Sequence, residues 1–179
     1  MKKLLIGAFV GSVLLFILQF LSWGALNLHG NESTYTEKQD TIMQILSKNL
    51  TEGSYMLPMT QNGASKEDVE KLMKDSEGKP WAVIQYHESM KADMGMNMFR
   101  GLLVDLIAVL LLGWLLLKFS NLNFQTSVLV SMAVGFIGYF SVTYTHSIWF
   151  KESTLMYLVD MIIQWGVVGS WLGWWFTRK

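Results

Sequence analysis

Apolar residues gather in four long blocks, and polar residues gather mainly in one segment between the first block and the second. A helix needs about 20 mostly apolar residues to cross the hydrocarbon core of a bilayer. Residues 4–23, 98–117, 124–144 and 155–176 meet that requirement, and each is predicted to be a transmembrane helix. The start of the second is the least sharply marked, because the chain can enter it as helix from further upstream. The first block follows "MKK", as a secretory signal would. Its apolar core is longer than the about 7–15 residues of a signal core, and "SWGA" is a poor cleavage site, so a retained helix is expected.

Residues 24–97 carry shorter periods. "TEKQ" at Thr36–Gln39 matches a capping box, and Ile42, Met43, Ile45, Leu46 and Leu50 follow at helical spacing. "SKED" at Ser65 opens a second helix with Val69, Leu72 and Met73 on one face, and Gly78 and Pro80 end it. "SYMLP" (54–58) and "WAVIQYH" (81–87) read as strands, the latter with Trp81, Val83, Gln85 and His87 on one side. Two strands are marginal alone, so this insert is expected to lean on the helices or on a partner. The expected fold class is a mainly α membrane protein. It is a four-transmembrane-helix bundle with a small α+β extracytoplasmic insert between helices 1 and 2.

Charge sets the expected orientation. Lys2, Lys3, Lys118, Arg178 and Lys179 all fall on one side of four spans, which the positive-inside rule makes cytoplasmic. Residues 24–97, with seven lysines against eleven acids, then lie outside, as does the "THSIWFKES" loop. The expected location is a bacterial inner (cytoplasmic) membrane, with both termini in the cytoplasm. Fourteen basic residues balance fourteen acidic ones, so there is no basic excess for binding nucleic acid. The absence of cysteine excludes disulfides and thiolate chemistry.

Two acids interrupt the apolar blocks. A charge at the centre of a span costs about 2.5–3.5 kcal/mol on insertion scales, so Asp105 and Asp160 should face the bundle interior, water or a partner. Each span offers a polar group at a similar depth: Gln19, Asp105, Tyr139 and Asp160. Gln164 shares a helix face with Asp160, and His146 lies further toward the outside. These six residues form the expected ligand-binding pocket. The plainer account is that each acid pairs privately and fixes helix register. Small residues four apart (Gly7 and Gly11, Ser131 and Gly135, Gly166 and Ser170, Gly169 and Gly173) suit close helix packing. Trp171, Trp174 and Trp175 suit an inner aromatic belt, and Trp23 and Trp149 an outer one.

"HESMKADMGMNM" (87–98) places His87, Met90, Met94, Met96 and Met98 ahead of the second span. Thioether and imidazole ligands suit Cu(I), and the stretch resembles methionine-rich segments of bacterial copper-handling proteins. Packing is the plainer account, since methionine readily fills gaps. No other cofactor is expected. The sequence has no phosphate-binding glycine loop, HExxH motif or serine elbow.

"FLSWGALNLH" at the exit of the first span, "YMLP" after an outer helix and the closing "LVDMIIQWGVVG" are similar to small uncharacterised bacterial inner-membrane proteins with four spans and one outer domain. That resemblance implies topology and location, and no activity. The first functional expectation is a non-enzymatic accessory or assembly subunit, in contact with lipid and with a membrane or periplasmic protein partner. The alternatives are a solute, proton or metal carrier, for which four spans call for a homo-oligomer, and an enzyme acting on lipid. Both would use the pocket around Asp105 and Asp160.

Overall fold

Four helices dominate the computed structural model, which describes residues 1–91 and 93–178. Ala92, within the predicted outer segment, and Lys179, counted above with the basic flank, lie outside the described residues. α1 (Lys2–Phe20) continues through a π-helical turn, Leu21–Ala25. α4 spans Met94–Leu116 and α7 Leu155–Thr177. α5 (Phe124–Gly138) passes into a π-helical segment, Tyr139–Tyr144, and then into α6 (Thr145–Phe150). The four continuous helices contain 24, 23, 27 and 23 residues and are long and apolar enough to cross a membrane. At 1.5 Å per residue even the shortest reaches about 34 Å, beyond the about 30 Å of hydrocarbon. Their outward faces carry exposed Leu5, Phe9, Val104, Ile107, Leu111, Ile137 and Ile163, a surface better suited to lipid than to water.

The third helix runs six residues past the predicted 144, so the start of the expected "THSIWFKES" loop is helical. Polar side chains there are satisfied locally. Thr145 and Ser147 hydroxyls donate to the carbonyls of Phe140 and Tyr144, which lets a polar sequence stay helical. Lys151 then turns the chain at φ +54°.

Neighbouring helices run antiparallel. α7 packs against α1 and α5, and α1 packs against α4. The core holds Ala8 and Leu15 of α1, Val109, Leu112 and Leu116 of α4, and Val168 and Leu172 of α7. The small residues admit these contacts. A Cβ at Gly169 would lie 2.6 Å from the Ser131 Cβ, and Ser127 Oγ donates to the Gly169 carbonyl at 3.0 Å. The tryptophans expected in an inner belt also join helices. Trp171 Nε1 donates to the Gly7 carbonyl and Trp175 Nε1 to that of Lys3. Lys3 Nζ donates to the carbonyls of Phe176 and Arg178, a favourable place for a cation at a helix C-terminus. This is the basic end of the bundle, and the site described below lies at the opposite end.

The chain divides into two compact units, Met1–Thr34 with Asp93–Lys179, and Tyr35–Ala92. Residues up to Thr34 stay with the first unit, because His29 and Glu32 bond to α7. The second unit contains α2 (Gln39–Asn49), β1 (Gly53–Leu57), α3 (Lys66–Ser76) and β2 (Ala82–Tyr86) in the expected order. The strands pair antiparallel, with Tyr55 opposite Ile84. The Ser65–Asp68 capping box forms. The "TEKQ" box does not. α2 starts at Gln39, which therefore sits in the first helical position instead of the third, and Thr36 Oγ1 accepts only from the Lys38 amide at 3.3 Å.

Candidate functional site

Both π-helical segments lie where the bundle becomes polar. A π turn inserts an extra residue and rotates the side chains beyond it, and such turns recur at functional sites. The one ending α1 carries Ser22 and Trp23, and the one following α5 carries Tyr139 and Thr143. Ser22 is buried, and its hydroxyl donates to Asp160 on α7, at 2.7 Å from Oδ1 and 2.9 Å from Oδ2.

Beyond α1 the chain makes a short 3-10 turn, Gly30–Glu32, that places His29 in the same cluster. His29 is 5% exposed. Its Nε2 lies 3.0 Å from Asp160 Oδ2 and its Nδ1 2.5 Å from Glu32 Oε1. Glu32 Oε2 in turn accepts the Tyr157 hydroxyl at 2.8 Å. Trp23 stacks on the imidazole at 3.8 Å between centroids, with the planes 1° apart, and Tyr157 meets the same ring edge-on at 4.9 Å. Both ring nitrogens face carboxylate oxygens. An ionised carboxylate only accepts, so the arrangement is fully satisfied by the doubly protonated imidazolium. Burial alone would lower the His29 pKa, but the hydrogen bonds and charges of Glu32 and Asp160 outweigh it and raise the value above 6.5. The cluster thus sets two acidic side chains, Glu32 and Asp160, against one histidine.

A cavity of about 370 Å³ adjoins Asp160, lined by residues of α1, α5, α7 and the two π segments. Four of the six expected pocket residues line it: Gln19, Tyr139, Asp160 and Gln164. Trp23, Tyr157 and Trp165 supply aromatic faces, and among the described residues no lysine or arginine lines it. A second cavity of about 480 Å³ is lined by Glu32, Tyr157, Lys151, Glu152 and their neighbours. Tyr157 borders both cavities.

The other two expected residues lie elsewhere. Asp105 is buried at the α1–α4 contact and does not line the cavity. Its Oδ1 accepts from Gln19 Nε2 at 3.0 Å, and its Oδ2 has no partner among the described residues. Asp105 and Asp160 thus have separate hydrogen-bond partners, with Gln19 bonding one and facing the cavity beside the other. His146 is exposed on α6, stacked on Phe150 and 3.2 Å from Glu152. The continued helix carries it away from the cavity. Ser22, His29, Glu32 and Tyr157 were not among the expected pocket residues, and Trp23 was expected only in an aromatic belt. His29 and Glu32 stand three apart in a loop, a weak signal by itself.

The methionine stretch divides between the two units. His87 and Met90 belong to Tyr35–Ala92, whereas Met94, Met96 and Met98 lie on α4. His87 Nδ1 is engaged by Glu52 Oε1 at 2.5 Å, and Glu52 also accepts the Glu88 amide. That amide and His87 lower the Glu52 pKa below the usual glutamate value. The four methionines are exposed. Among the described residues no group of three His, Asp or Glu side chains is arranged to hold a metal ion.

No protein-family model, curated protein or solved structure matches the chain. The chemistry of the site therefore carries the functional reading.

Proposed function

We propose that this chain is a four-span membrane protein that binds a small organic cation beside Asp160 and carries it across the bilayer. The positive-inside pattern supports a cytoplasmic basic end, which would turn the Asp160 site and residues 35–92 outward. A bacterial inner membrane is the proposed location. A homo-oligomer would supply the helices that a single four-span chain lacks for a transport path.

The observation that carries this reading is Asp160 on the wall of a cavity with aromatic faces. Buried charges in spans are costly and mark ligand or ion paths more often than structure alone. The cluster sets two acids against one histidine, and among the described residues no lysine or arginine lines the cavity. Trp23, Tyr157 and Trp165 offer π faces, which attract ammonium groups. Gln19 and Gln164 add polar contacts that would orient the ligand. The lipid-enzyme alternative relied on Asp105 and Asp160 acting together at one cavity, and only Asp160 lines it.

A second reading, the accessory subunit, draws on the other unit. Ile42, Met43 and Ile45 of α2 are exposed, and apolar groups so placed suit a protein partner.

The carrier reading is tested in proteoliposomes with radiolabelled tetramethylammonium. Wild-type protein and Asp105→Asn should load the vesicles, and Asp160→Asn should not. Equal uptake by Asp160→Asn and wild type would refute it.

A further inference from the structure

Asp160 already has a cation beside it. His29 Nε2 lies 3.0 Å from Oδ2, on a ring fixed by Trp23 stacking and by Glu32 at its other nitrogen. A ligand cation reaching Asp160 from the cavity would therefore meet an imidazolium across the same carboxylate. We propose that the ligand cation and the His29 proton oppose each other at Asp160, so that the site exchanges protons for cations, with the proton leaving through Glu32. This rests on the reading of the cavity as a cation site, and it adds the coupling and the proton's route.

The geometry separates the two paths. The cation's place is the cavity lined by Asp160, Gln19 and Gln164. The proton's exit is the second cavity, lined by Glu32, Lys151 and Glu152. His29 spans the two sides with one nitrogen on each carboxylate. In the step itself the Nδ1–H bond breaks, its electron pair stays on the nitrogen, and Glu32 passes the proton to water. The ring stays bonded to Asp160 through Nε2–H as a neutral imidazole. Reprotonation reverses the step when the cation leaves, and no other reactant is needed.

All the groups facing His29 bear on this coupling. Asp160 and Tyr157 approach from α7, Glu32 from the 3-10 turn and Trp23 from the end of α1, where Ser22 bonds Asp160. Lys151 and Glu152 stand at the exit cavity. The two carboxylates favour the imidazolium when the cavity is empty, and the His29 pKa is raised accordingly. Two unit charges about 6 Å apart in a partly buried site change each other's binding by roughly a hundredfold.

The test uses full-length protein in nanodiscs and tetramethylammonium as the probe. Affinity is measured by calorimetry from about pH 5 to about pH 8, the histidine range, and released protons by an indicator dye in weak buffer. Wild-type affinity should rise roughly a hundredfold with pH, and up to about one proton should leave per cation bound where the rise is steepest. His29→Gln should bind with little pH dependence and release almost no protons. Glu32→Gln removes a group that raises the His29 pKa, so its affinity rise should move to lower pH. That shift carries the test if His29→Gln fails to fold. Binding without proton release and without pH dependence in wild type would overturn the coupling and leave the cation site standing. An unmoved rise in Glu32→Gln would overturn the exit route. Absence of binding at every pH would overturn both the coupling and the cation site.

Discussion

Asp160 accepts from two donors, the Ser22 hydroxyl shared between its oxygens and His29 Nε2; Asp105 accepts one hydrogen bond, and its Oδ2 has no partner among the described residues. The two acids look equivalent in sequence and differ entirely in surroundings. Removing a partner from a buried charge is costly, so Ser22→Ala should destabilise by about 1.5–3 kcal/mol, read as a lower melting temperature in detergent. Asp105→Asn should be close to neutral in the same assay, since it removes a charge without breaking a full hydrogen-bond set. His29 adds a pH dependence. Its folded pKa is raised, so its contribution is fully present below about pH 6.5 and fades as pH rises through the raised value. Amide exchange of residues 28–32, corrected for intrinsic rates, should show weaker protection above that point. Protection that grows with pH would contradict the ion-pair assignment. Asp160 and Gln164 were legible in the sequence because helical spacing puts them on one face. His29 was not, because it meets Asp160 across 131 positions, through a loop with no periodicity.

At the scale of elements, long apolar blocks have one ready interpretation, and the four helices match them closely. The π turns left no such trace. They look like ordinary helix in "LSWGA" and "YFSVTY", yet they carry Ser22, Trp23 and Tyr139 to the site. Capping chemistry was legible where the box sits at the true start, as at Ser65, and misleading at Thr36, where the helix begins later. The Ser65 cap predicts a local loss. Ser65→Ala should destabilise residues 66–76 by about 1 kcal/mol, visible as faster amide exchange confined to α3. The α5–α7 seam predicts a larger one. A methyl at Gly169 would press on Ser131 and on the Val128 backbone, 3.2 Å away. Gly169→Ala should therefore cost about 1–3 kcal/mol through overpacking, with a matching fall in melting temperature.

For the whole molecule, the absence of cysteine makes topology directly testable, because one introduced thiol is a unique reporter. A cysteine at Ser33 should react with a membrane-impermeant maleimide on intact spheroplasts. One at Asn121 should react only after permeabilisation. The reverse pattern would turn the site inward and remove the basis for an outward-facing cavity. Whether Asp160 is a ligand group rather than a register pin is tested most directly by calorimetric binding of tetramethylammonium in nanodiscs at neutral pH. Wild type and Asp105→Asn should show saturable binding of similar affinity, with Asp160→Asn weaker by at least about tenfold. Equal affinity in a correctly folded Asp160→Asn would contradict the account.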